Sequence, residues 1–128
     1  MDFKTAVQTC LSKYIDFNGR AQRSEYWWFF LFAVICSLIA GVIDGLIFGA
    51  QVVGLLVTLG LFLPGLAAVI RRLHDQDRVG WWALIALVPF IGGIALIVLM
   101  ILKGTDGPNK YGPDPLADGY APSNIPDV

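Results

Sequence analysis

Between residues 26 and 70 the chain carries one charged residue, Asp44, and between residues 81 and 102 it carries none. No other feature restricts the fold as strongly. An apolar helix of about 20 residues matches the roughly 30 Å hydrocarbon core of a bilayer. A soluble domain needs a polar surface, and 128 residues that are 56% hydrophobic and 15% charged can barely supply one. The expected fold is therefore an all-α membrane protein with three transmembrane helices, at about 26–43, 52–70 and 81–102. These spans form one polytopic domain over residues 1–115, followed by an irregular tail over 116–128. The basic residues are few and border the apolar runs, which speaks against nucleic acid as a partner.

Residues 2–15, DFKTAVQTCLSKYI, have helical periodicity. Phe3, Val7, Cys10, Leu11 and Tyr14 fall on one face, and Lys4, Gln8, Ser12 and Lys13 on the other. With no soluble core to receive that apolar face, the expectation is an amphipathic helix lying in the membrane interface. The segment lacks the short apolar core and small-residue cleavage site of a signal peptide. Ser24 is expected to cap the next helix, with Glu25 favourably placed in its first turn. Tyr26, Trp27 and Trp28, and later Trp81 and Trp82, read as aromatic belts. Cys10 and Cys36 lie in different environments, so no disulfide is expected. In the turn after the first span, Gly41, Gly45 and Gly49 serve either as close helix contacts or as loop glycines. Asp44 is expected at the wet end of that span.

Counting Lys and Arg orients the chain. The amino-terminal segment has Lys4, Lys13, Arg20 and Arg23; the loop after the second span has Arg71, Arg72 and Arg78; the tail has Lys103 and Lys110. With three spans, the first two groups share a side, which is cytoplasmic because cytoplasmic loops are enriched in basic residues. An alternative makes the third apolar segment re-entrant at residues 89–93, PFIGG. That would bring the tail back inside and put all nine basic residues on one side. It leaves a hairpin tip whose backbone needs cover within lipid, so a single span kinked at Pro89 is favoured.

The stretch RRLHDQDR, residues 71–78, is a charged island that topology sets opposite GRAQRSE, residues 19–25. Arg20, Arg23, Glu25, Arg71, Arg72, His74 and Asp75 form the candidate cluster. Its groups can pair with one another at the ends of the spans or bind something anionic, because arginine's forked donors suit a phosphate. A catalytic reading of His74 and Asp75 lacks a nucleophile and a metal set. Pro64 and Pro89 interrupt the second and third spans.

Three motifs then resemble one family. FNGRAQRSEYWW (17–28), RRLHDQDRVGWW (71–82) and KGTDGPNKYGPDP (103–115) are similar to the bacterial inner-membrane family catalogued as domain of unknown function 805. Its characteristic positions fall here on Gly19, Arg20, Arg23, Glu25, Tyr26 and Trp27, on residues 71–75 and 80–82, and on Gly104, Thr105, Gly107, Asn109, Tyr111, Gly112 and Pro113. The resemblance implies a small multi-pass protein of the bacterial cytoplasmic membrane and brings no accepted activity, substrate or cofactor. The functional expectation is a non-enzymatic module whose cytoplasmic charged loops bind or organise a partner, either another membrane protein or anionic lipid headgroups. Self-association is compatible with its small-residue helix faces. The alternative is a small oligomeric transporter or channel, with Asp44 facing a pore. No cofactor or metal is expected.

Overall fold

The computed structural model describes residues 2–116, so the expected irregular tail lies outside the described residues apart from Leu116. Those residues are helical and contain no strand. Helix α1, Phe3–Ser12, starts where the Asp2 carboxylate accepts the Thr5 N–H at 2.8 Å. Helix α2, Arg23–Ile43, runs into a π-helical turn at Asp44–Phe48 that ends at Gly49, in the left-handed region. Helix α3, Val53–Asp75, returns antiparallel to α2. A 3-10 segment, Gly80–Leu87, and helix α4, Gly92–Ile101, complete the fold.

Two helical stretches are long and apolar enough to cross a membrane, Arg23–Phe48 and Val53–Asp75. Their large side chains face outward: Leu46 is 82% exposed, and Leu38, Leu56 and Leu59 are also exposed. The core helix of a soluble domain would bury such residues.

The third apolar segment is not one helix over 81–102. It breaks after Leu87, turns through Pro89, Phe90 (φ 69°) and Ile91, and restarts as α4. Glycine makes the fold-back possible. A Cβ on Gly92 would overlap the Ile85 carbonyl oxygen, and one on Gly80 would lie 2.8 Å from Ile70 Cγ2. Both ends of the segment lie near the carboxyl end of α3. Gly80 follows α3 by four residues, and α4 ends with the Met100 and Leu102 carbonyls on Arg72. The arrangement is a hairpin that enters and leaves at one end of the α2–α3 pair.

Three local expectations change. The charged loop begins later than expected, because α3 continues through Arg71 to Asp75 and turns only at Asp77 (φ 59°). Ser24 is inside α2 and its hydroxyl donates to Gln22 Oε1; the first residue before the helix is Gln22, which makes no side-chain cap bond. Asp44 stands at the end of the first span as expected, but its side chain is largely covered. Its carboxylate accepts the Val53 and Gly54 N–H groups at 2.7 and 2.8 Å and so caps α3.

Helix α1 also packs on a different face. Ala6, Thr9, Cys10 and Lys13 are buried against α2 and α3, whereas Phe3, Leu11 and Tyr14 remain exposed. The small residues permit close approach, and the bulky apolar ones turn sideways. Cys10, Phe29 and Ala68 form one core with Tyr26, Phe32 and Leu61 at its edge. Leu73, Leu99 and Met100 form a second, flanked by Trp27, Val69, Ile85 and Leu96.

Candidate functional site: a buried arginine clasp

The last carbonyls of a helix have no partner within it and must find donors elsewhere. Helix α4 ends among such donors. Gln76 Nε2 donates to the Leu99 carbonyl. Trp27 Nε1 and Arg72 Nε donate to the Met100 carbonyl at 3.3 and 3.2 Å. Arg23 Nη1 donates to that of Ile101 at 3.3 Å, and Arg72 Nη2 and Gln76 to that of Leu102. The positive side chains also meet the negative end of the helix dipole. Arg72 Nη1 reaches the Ala21 carbonyl at 3.2 Å and Asp75 Oδ2 at 2.5 Å. One fully buried guanidinium thus joins α3, α4 and the segment before α2.

Arg20 does the same for the tail. Its Nε lies 2.9 Å from Asp75 Oδ1, and its Nη atoms donate to the carbonyls of Thr105 and Gly107 at 2.7 Å and of Gly112 at 3.3 Å. The Asp75 carbonyl accepts the Thr105 N–H at 2.6 Å. Gly104 passes so close that a Cβ there would fall on the Asp75 carboxylate. Asp114 accepts the N–H groups of Leu116 and Gly107 at 2.9 Å each, which holds its carboxyl below the usual range.

His74 and Asp75 point apart. The His74 ring stacks on Tyr111 with centroids 3.9 Å apart, and its Nδ1 lies 3.0 Å from the Gly19 carbonyl oxygen. An oxygen of that kind only accepts, so Nδ1 carries the proton. The His74 carbonyl accepts from Asn109 Nδ2 at 3.0 Å.

A second ion pair, Glu25 with Arg71, lies beneath α1. Arg71 Nε and Nη2 are buried without a hydrogen-bond partner among the described residues. Cys10 Sγ stands 3.9 Å from Glu25 Oε2, and burial, reinforced by the Glu25 charge, pushes the thiol up to about 12. Both cysteines are free.

The fold brings six of the seven expected residues, Arg20, Glu25, Arg71, Arg72, His74 and Asp75, into this buried region; Arg23 stays exposed at its rim. Gln76, Thr105, Trp27 and Lys13 join it as well. In the sequence Thr105 and Asn109 stand out only as characteristic positions of the tail motif, and Gln76 carries no signal. Among the described residues no group of three or more His, Cys, Asp or Glu could hold a metal. With Arg20, Arg71, Arg72 and Lys13 buried, the remaining basic residues are Lys4, Arg23, Arg78, Lys103 and Lys110. The described aspartates outside the buried set are equal in number: Asp2, Asp16, Asp77, Asp106 and Asp114.

Comparison with known proteins places this geometry in context. Inner membrane protein YhaI of Escherichia coli strain K12 is 50% identical over 107 residues, covering 82% of this chain and 90% of the relative. Inner membrane protein YhaH of the same strain is 45% identical over 111 residues, covering 82% and 91%. No solved structure matches. The profile of a family described as protein of unknown function (DUF805) matches residues 14–113, which include the clasp from Arg20 to Gly112, and the chain belongs to that family.

Proposed function

We propose that the protein is a non-enzymatic module of the bacterial inner membrane that presents a rigid cytoplasmic platform to a partner protein. Both relatives are named as inner membrane proteins, which supports the location. Two spans and a re-entrant hairpin account for the apolar segments. In that arrangement all nine Lys and Arg lie on one side, the cytoplasmic one by the distribution of basic residues. Helix α1 lies on the same side, with Phe3 packed on Trp28 and Phe32 of α2 and Ile15 exposed beyond its end.

The observation that carries the reading is the engagement of Arg20 and Arg72, whose donors are taken by Asp75 and by backbone carbonyls of three segments. Groups committed in this way hold a surface together rather than turn over a substrate. Among the described residues that surface carries five basic and five acidic side chains outside the clasp. A balanced surface suits a protein with complementary mixed charge better than an anionic bilayer, which rewards net positive charge.

The test is site-specific photocrosslinking in intact cells from positions 78 and 110, with position 56, which faces lipid, as control. A discrete protein adduct from both rim positions, lost when Lys103 is changed to Glu, is the expected result. Adducts to lipid alone would overturn the reading in favour of headgroup binding.

A further inference from the structure

We infer that the protein is a wedge that favours bilayers curved so that the leaflet holding its α1 and α4 end is the expanded one. This rests on the two-span, re-entrant reading above. The partner surface is lipid, and the recognition is by shape.

Helix α1, the 3-10 segment and α4 all pack on the half of the α2–α3 pair that holds Glu25 and Arg71, and Tyr14, just after α1, reaches inward to donate to the Gly60 carbonyl of α3. The two cores, around Cys10, Phe29 and Ala68 and around Leu73, Leu99 and Met100, both belong to that half. Helix α4 has 10 residues, about 15 Å of rise, which is half of the roughly 30 Å hydrocarbon core. One leaflet therefore holds five elements and the other holds two helices. Over residues 34–63 only Ala40 and Asp44 are buried. At the far end Ser37, Gly41, Gly54 and Thr58 line an open cleft of about 540 Å³ that no side chain among the described residues fills.

Lipid must fill the space around a tapered body. In a flat bilayer the chains splay at the thin end and crowd at the thick end. Bending that expands the thick-end leaflet relieves both, and exposed apolar residues of an interfacial helix add area to the same leaflet. The exposed Leu11 and Ile15 side chains of the α1 region supply such area.

The experiment uses the full chain with a cleavable epitope at each end, reconstituted into vesicles of uncharged phosphatidylcholine. Small sonicated vesicles, whose outer leaflet is strongly expanded, are compared with large extruded ones, and a site-specific protease is added outside. The expected result is cleavage of both epitopes on the same molecules. In small vesicles molecules with both ends outside should exceed those with both ends inside several-fold, and the excess should fade in large vesicles. Ser37→Leu with Gly41→Leu thickens the thin end, and a Cβ at Gly41 meets nothing within 4 Å; this variant should lose much of the excess. Leu11→Ala with Ile15→Ala, which trims the thick end, should do the same. Equal orientation in both vesicle sizes, or an excess unchanged in both variants, overturns the wedge while leaving the topology intact. Epitopes cleaved on opposite sides would instead remove the half-depth hairpin, and the wedge with it.

Discussion

At the scale of single residues, position in the sequence says little about how a charge is used. Arg23 and Arg72 both border apolar runs, yet Arg23 is exposed and makes one long hydrogen bond, whereas Arg72 is fully buried and serves four partners. Removing one member of a buried pair costs about 3–5 kcal/mol. Asp75 retains Arg20, so Arg72→Met should cost about 3 kcal/mol, the low end of that range. Arg23→Ala should stay within about 0.5 kcal/mol, as exposed positions do. Reversible unfolding in mixed detergent micelles measures both. An Arg72→Met protein as stable as its parent would mean that the α4 carbonyls find other donors. Cys10 gives a chemical test of the same interior. With its thiol at about 12, roughly one molecule in ten thousand carries the reactive thiolate at pH 8, against about one in four for an ordinary thiol. A Cys36→Ser variant should therefore resist iodoacetamide at that pH until denatured. Labelling at the rate of a free peptide thiol would show that α1 does not stay seated on Glu25 and Arg71.

At the scale of elements, the tail loop depends on close approach. Gly104 lies against Asp75 where a Cβ has no room, and forcing extra volume into a packed site costs about 1–3 kcal/mol. Gly104→Ala should release the tail while leaving α2 and α3 in place, so trypsin should cut at Lys103 and Lys110 faster in the variant. Equal cleavage rates would argue that the loop is already loose. The elements differ in how much the sequence disclosed. The α2 and α3 spans were legible because two long runs without charge leave few alternatives. The end of α3 was not, since RRLHD reads as a polar loop until Arg71, Arg72 and Asp75 are given buried partners from α2, α4 and the tail. Those partners are distant in sequence, so no local pattern announces them. The α1 face was misread for a related reason. Hydrophobic periodicity selects bulky residues, whereas close packing against α2 buries Ala6, Thr9 and Cys10 and sets Phe3 at the edge of the contact, against Trp28 and Phe32. The third segment was ambiguous by composition alone, since PFIGG permits either a kink or a hairpin; capping of the α4 carbonyls, invisible in the sequence, favours the hairpin.

At the scale of the whole molecule, the clasp decides which side of the membrane the tail can occupy. Arg20 precedes α2, Asp75 ends α3, and Thr105 and Gly107 follow α4, yet Arg20 and Asp75 bind one another and Arg20 also binds both tail carbonyls. If α4 completed a crossing, those tail carbonyls would be some 30 Å away, the thickness of the hydrocarbon core, and the donors on Arg20 would be left unpaired at the interface. In the proposed two-span topology the clasp therefore keeps residues 105–112 on the same side as Arg20. Single cysteines in a cysteine-free background, labelled in whole cells with a membrane-impermeant maleimide, separate the possibilities. Gln51→Cys, in the exposed turn between α2 and α3, should label from outside. Lys110→Cys should label only after the membrane is permeabilised. Phe90→Cys, at the hairpin tip, should label poorly in both conditions because lipid shields it. Labelling of Lys110→Cys from outside would establish a third crossing and break the clasp as drawn. Labelling of Phe90→Cys together with Gln51→Cys from outside would mean that the hairpin reaches the far surface, leaving two leaflets of similar cross-section and no taper.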